Sequence, residues 1–220
     1  MNDIGVLFDM DGVIVDNHRY HFQAWLILGE KYGKSFDENT YKEQLNGRTL
    51  TEVVQYIFGD DGIDTEGIRA IGEEKEALYR KLYRPHLAMT PGLADFMADC
   101  ERLDVPMVVG TSAPPVNVDF TLDGLGIRSK FRAILDERAV TKGKPHPEIY
   151  EKCAKAIGLA NQQCVVFEDA VSGIKAGQSA GSKVIALATS HDRSELSADL
   201  VIDDFIGMNL EKVRILLQDK

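Results

Sequence analysis

IGVLFDMDGVIVD, residues 4–16, decides the fold. The run Ile4–Phe8 is apolar without in/out alternation, as in a strand buried on both faces of a sheet, and it stops at two acids, Asp9 and Asp11. Residues i and i+2 of an extended segment point to one side, so both carboxylates can face one site. Gly12 then permits a tight turn away from the strand.

Outward from this stretch the same pattern recurs. Apolar runs Met107–Val109, Ala133–Leu135, Cys164–Phe167 and Val184–Leu187 are separated by helical spacings over Gly92–Leu103, Val116–Leu125, Pro147–Ile157 and Val171–Ala180. Strand alternating with helix predicts right-handed βαβ units and an α/β fold, a parallel sheet flanked by helices. Residues 17–83 break the alternation with helical spacings at Tyr20–Tyr32, Thr49–Phe58 and Glu66–Tyr83. They read as a helical insertion, with hinges at Val15–His18 and Arg84–Gly92, where Pro85 and Pro91 stop helices. The expected domains are a core of 1–16 and 86–220 and an inserted all-helical domain of 17–85.

In an open parallel sheet, ligands bind beyond the carboxyl ends of the strands. The polar residues closing the runs (Asp9, Asp11, Thr111, Glu168 and Asp169) should converge there, and an insertion leaving after the first strand would hang over that edge. Paired carboxylates repel unless a cation intervenes, and Mg²⁺ resolves this with oxygen ligands while accepting phosphate as a co-ligand. Asp9 can then attack phosphorus and Asp11 can donate and later remove a proton. Glu168 and Asp169 would complete the metal shell with Asp9 and a carbonyl at Met10 or Asp11. Asp169 could equally cap the helix that follows. Thr111 and Ser112, near a helix start, can hold phosphate oxygens or merely cap it. Lys144, with Lys142 as competitor, can screen Asp9 and neutralise charge on a transferring phosphoryl group. Each feature alone has a structural explanation; their order along one sheet edge favours the chemical one.

DMDGVIVD, a strand-end Thr-Ser, GKPHPEIY and VVFEDAVSGIKAG together resemble the haloacid dehalogenase-like phosphohydrolase superfamily across essentially the whole chain. The insertion is similar to the small helical cap of its β-phosphoglucomutase-like branch. The resemblance implies a Rossmann-like core with helices on both faces and a cap that closes over substrate. It makes Asp9 the nucleophile, Asp11 the acid/base, Thr111 and Lys144 phosphate binders, and Asp9, Asp11, Glu168 and Asp169 the Mg²⁺ site. Ser112, His21, Trp25, Asn46, Gly47, Arg48 and Lys75 are the candidate substrate contacts; His21 could instead pack beside Trp25, and Arg48 and Lys75 could be solvated charges.

Asp11 argues against the dehalogenase branch, which does not resemble this Asp-x-Asp arrangement. Within the phosphoryl-transfer branch, a mutase must hold a bisphosphate by both ends. The β-phosphoglucomutase pattern carries an arginine where this chain has Leu50, and Ser-Lys-Asn where it has Ala113–Pro114–Pro115. Losing those donors favours a phosphatase acting on a small phosphorylated metabolite, with β-phosphoglucomutase as the alternative and an idle Mg²⁺-binding regulatory module after it.

Bulk properties agree. With 220 residues, 44% hydrophobic and 27% charged, the chain can bury a sizeable core. A net charge of −10 disfavours nucleic acid and anionic membrane as partners. No stretch reaches the ~18 apolar residues of a membrane span, and the first residues carry no basic leader. Cys100, Cys153 and Cys164 show no C-x-x-C spacing and read as inert thiols in a reducing cytoplasm. The expected state is a monomer or weak homo-oligomer.

Overall fold

The structure is a computed structural model that describes residues 4–41, 45, 50–59 and 63–218. The chain divides into two compact units, 1–16 with 87–220, and 17–86.

The first unit is built on six parallel strands in the order β3-β2-β1-β4-β5-β6. They are β1 (Gly5–Phe8), β2 (Met107–Gly110), β3 (Ala133–Leu135), β4 (Cys164–Glu168), β5 (Lys183–Leu187) and β6 (Leu200–Ile202). Strands β1, β2 and β4 are buried at every residue, which is why their sequences lack alternation. One face carries Leu7, Val108, Val166 and Val184 against Ile149, Tyr150, Cys153 and Ile174 of the helices after β3 and β4. The other carries an aromatic cluster in which Phe8 stacks on Phe167 at 5.4 Å and both meet Phe96 and Phe205.

The second unit holds α1 (His18–Lys31), α2 (Glu38–Thr40), α3 (Leu50–Phe58) and α4 (Thr65–Tyr83), and no strand is present among its described residues. Trp25, Leu28, Val53, Val54, Ile57, Phe58 and Ile71 form its core. Asp64 caps α4 by accepting from Gly67 N at 2.8 Å. The remaining helices, α5 (Leu93–Arg102), α6 (Pro115–Gly124), α7 (Glu148–Ala156), α8 (Val171–Ala180) and α9 (Leu210–Gln218), belong to the first unit.

Two elements lie outside the sequence reading, and the open alternative for Asp169 is decided. Strand β6 is a three-residue edge strand with partly exposed residues, too short for a pattern. Helix α9 does carry a helical spacing in Leu210 and Val213, both buried. Asp169 is not the cap of α8: Ala170 occupies that position, with no side-chain bond.

All three thiols are buried and unpaired, and burial is the main reason each is pushed up to about 12. Native protein at pH 8 should therefore leave Ellman's reagent uncoloured, while denatured protein releases three equivalents, one for each cysteine.

Candidate active site

Strands β1 and β4 are parallel neighbours with Phe8 opposite Phe167, and Asp9 N donates to Phe167 O at 2.9 Å. That register sets Asp9 beside Glu168 at the carboxyl edge, between the two strands where the sheet order reverses. The polypeptide leaves β1 through a turn in which Gly12 adopts φ 75° and its N–H donates to Val15 O at 2.7 Å.

Carboxylate oxygens of Asp9, Glu168 and Asp169, all buried, lie within 4.8 Å of one another. Asp11, partly exposed in the turn, stands outside this trio but its charge reaches Asp9. Lys144, 9% exposed at its side chain, donates to Asp9 Oδ1 at 2.6 Å and to Glu168 Oε1 at 2.5 Å. Burial pushes the Asp9 carboxyl well above the carboxylate range; Lys144 opposes this, and Glu168, Asp169 and Asp11 add to it. Burial alone would pull Lys144 down, but Asp9 and Glu168 outweigh it and hold the ammonium above the ordinary lysine range. Lys144 bonds two of the three buried carboxylates, Asp9 and Glu168, so one ammonium faces three acids in this cluster. An all-oxygen, carboxylate donor set fits a hard divalent cation.

Other predicted residues fall as follows. Thr111 is buried just beyond β2, its Oγ1 accepting from Ala113 N at 3.0 Å, and Ser112 is exposed beside it. Lys142 is exposed, its backbone N–H donating to Glu148 at 2.9 Å, so Lys144 is the lysine that reaches the acids. Asn46, Gly47 and Arg48 lie outside the described residues.

In the helical unit, Trp25 is part of the core, and Lys75 is 6% exposed. The Lys75 ammonium donates to Glu76 Oε1 at 2.7 Å, meets His21 Nδ1 at 2.7 Å and lies 5.6 Å from the Trp25 ring centre. Burial, then Lys75, holds the His21 imidazole well below its usual range. An ammonium can only donate, so in the Lys75 contact it is the ring's Nδ1 that accepts.

Several supporting residues were not singled out by motif reading. Tyr150 on α7 donates its phenol proton to Glu168 Oε1 at 2.7 Å. Glu168 Oε2 accepts from the N–H groups of Asp169 and Ala170 at 2.9 and 3.1 Å. Gly173 faces this carboxylate so closely that a Cβ there would lie 1.8 Å from Glu168 Oε1. Thr189 Oγ1 donates to Gly12 O at 2.6 Å and Ser190 Oγ to Asp169 O at 2.9 Å, tying both acidic loops to the end of β5. Glu148 accepts from the N–H groups of Thr141 and Lys142, holding the loop ahead of Lys144.

A family model described as haloacid dehalogenase-like hydrolase matches residues 5–181, and the chain belongs to that family. A β-phosphoglucomutase of Bacillus subtilis is 30% identical over 214 residues, covering 94% of this chain and 92% of that protein. A fructose-1-phosphate phosphatase of Escherichia coli is 32% identical over 181 residues, covering 82% of this chain and 94% of that protein. A solved structure of a HAD hydrolase, family IA, variant 3, from Entamoeba histolytica superposes with a TM-score of 0.92 at 28% identity, covering 98% of this chain and 100% of that one.

Gly173→Ala should lower stability by about 1–3 kcal/mol through overpacking against Glu168, read as a lower urea midpoint; an unchanged midpoint would mean the carboxylate relocates without cost. Lys152, then the Thr141 N–H, holds Glu148 down to about 2 against an ordinary 4.5. A depressed folded-state value means its stabilisation is complete above pH 4.5 and lost as pH falls towards 2. Glu148→Gln should flatten that acid limb in urea melts collected across this window.

Proposed function

We propose that the chain is a Mg²⁺-dependent phosphohydrolase acting on a small phosphorylated metabolite, a sugar phosphate, through an aspartyl phosphate on Asp9. The observation that carries this is the buried Asp9–Glu168–Asp169 cluster with Lys144 bonded to two of its members. Curated relatives include a fructose-1-phosphate phosphatase and a phosphorylated carbohydrates phosphatase of Thermotoga maritima.

Asp9, Asp169 and the Asp11 segment would hold Mg²⁺, which neutralises phosphate charge when bound, while Glu168, its oxygens taken by four donors, would anchor Lys144 beside them. Lys144 favours the ionised form of Asp9 and offsets charge developing on the phosphoryl oxygens. A carboxylate oxygen of Asp9 attacks phosphorus; the P–O bond to the sugar breaks and Asp11 protonates the departing oxygen. Asp11, now ionised, takes a proton from water, which attacks the aspartyl phosphate and releases orthophosphate with Asp9 restored. Thr111 and Ser112 would hold phosphate oxygens. Residues 17–86 would serve as the cap, with His21, Trp25, Asn46, Gly47, Arg48 and Lys75 as its candidate contributors to substrate choice.

The Bacillus relative keeps β-phosphoglucomutase as the second reading. Against it stands the segment after β2: Ala113 is buried, Pro114 precedes α6 and Pro115 opens it. Alanine and proline side chains carry no donor and prolines lack the backbone N–H as well, so this segment offers nothing charged to a second phosphate. A cytoplasmic setting suits three buried, unpaired thiols.

Across a panel of sugar phosphates, orthophosphate release should require Mg²⁺, stop with EDTA and be abolished in Asp9→Asn. Retained turnover in that variant would remove Asp9 as nucleophile. Conversion of β-glucose 1-phosphate to glucose 6-phosphate faster than phosphate release would favour the mutase.

A further inference from the structure

We propose that Tyr150 is a positioning residue for Lys144: its phenol fixes the Glu168 carboxylate so that the ammonium stays shared between Glu168 and Asp9. This rests on the role given to Lys144 above and extends it to a residue on α7 that touches neither phosphate nor nucleophile in that scheme.

Glu168 Oε1 accepts from both Tyr150 Oη and Lys144 Nζ, while Oε2 accepts from two backbone N–H groups. Four donors therefore occupy the acceptor positions of one carboxylate, and Gly173 closes the remaining side. A carboxylate so enclosed is an anchor. The Tyr150 hydroxyl is fully buried and its proton is aimed at Oε1, 2.7 Å away. The Lys144 ammonium also lies 5.1 Å from the centre of the Tyr150 ring, so the aromatic face limits where the cation can go.

Without the phenol, Oε1 keeps the ammonium as its one side-chain donor. A buried acceptor left short of a partner draws the remaining donor closer. Lys144 then moves its balance towards Glu168 and away from Asp9 and the phosphoryl group. The ring, its volume and the cation–π contact survive in Tyr150→Phe, so that variant isolates the hydrogen bond.

The test uses the full chain as wild type, Tyr150→Phe, Lys144→Ala and the double variant, each checked for folding by thermal melting. With a substrate hydrolysed by the wild type, kcat/KM in Tyr150→Phe should fall about tenfold, the scale of one hydrogen bond to a charged group. Calorimetry with Mg²⁺ alone should give a Kd within about twofold of wild type. Calorimetry with orthophosphate in saturating Mg²⁺ should show several-fold weaker binding in Tyr150→Phe, and no further weakening when the substitution is added to Lys144→Ala. Unchanged kcat/KM and unchanged orthophosphate affinity would overturn the proposal. So would a parallel loss of Mg²⁺ affinity, because Tyr150 would then act through the metal. So would equal weakening in both backgrounds, the mark of a general packing effect. A wild type without phosphatase activity would fail the functional reading separately, and the calorimetric cycle would still decide the Tyr150–Lys144 coupling.

Discussion

Asp9, Glu168 and Asp169 are buried ionisable groups at the ends of neighbouring strands, and burying charge is costly unless each charge has partners. Lys144 meets that constraint by bonding to Asp9 and Glu168 together. The parallel register of β1 and β4 brings the two acids side by side, so backbone pairing inside the sheet determines side-chain geometry outside it. A slip of one residue between these strands would turn Glu168 to the opposite face and leave Lys144 with one partner.

The loops beyond the strands are held by hydroxyl-to-carbonyl bonds. Thr189 and Ser190, after β5, reach the carbonyls of Gly12 and Asp169. Thr90 donates to Val13 O at 2.6 Å on the far side of the first acidic turn. These short side chains come from segments distant in sequence and pin the peptide planes that carry the acids. A constellation supported this way keeps its geometry while the cluster's charge changes, as preorganised electrostatic catalysis requires.

Strand ends were the legible part of this site. Asp9, Thr111 and Asp169 each follow an apolar run buried enough to lose alternation, and Glu168 closes such a run, so a pattern of hydrophobicity located four polar groups on one edge. Tyr150 and Gly173 were illegible for a different reason. Tyr150 sits in α7 where an apolar residue of the buried stripe is expected, and its hydroxyl gains meaning only from the way α7 packs against the sheet. Gly173 reads as a weak helix former until the position of Glu168 against α8 is known. Thr189 and Ser190 lie past β5, where a loop hydroxyl has no periodicity to mark it. In the helical unit, Lys75 read as a candidate substrate contact or a solvated charge, and the Glu76, His21 and Trp25 contacts that surround it have no sequence signal.

Chemistry and specificity therefore rest on different kinds of structure. Residues that would carry phosphoryl transfer are tied to strand ends through the sheet, and exchanging one exposes a buried charge. The segment Ala113–Pro114–Pro115 lies under weaker constraints: it connects β2 to α6, and its prolines suit a helix start whatever ligand is bound. Charged donors could be gained or lost there without disturbing the Asp9–Lys144–Glu168 arrangement. A segment free of the buried cluster can thus change without disturbing it, and the relatives of this chain include both a β-phosphoglucomutase and a fructose-1-phosphate phosphatase.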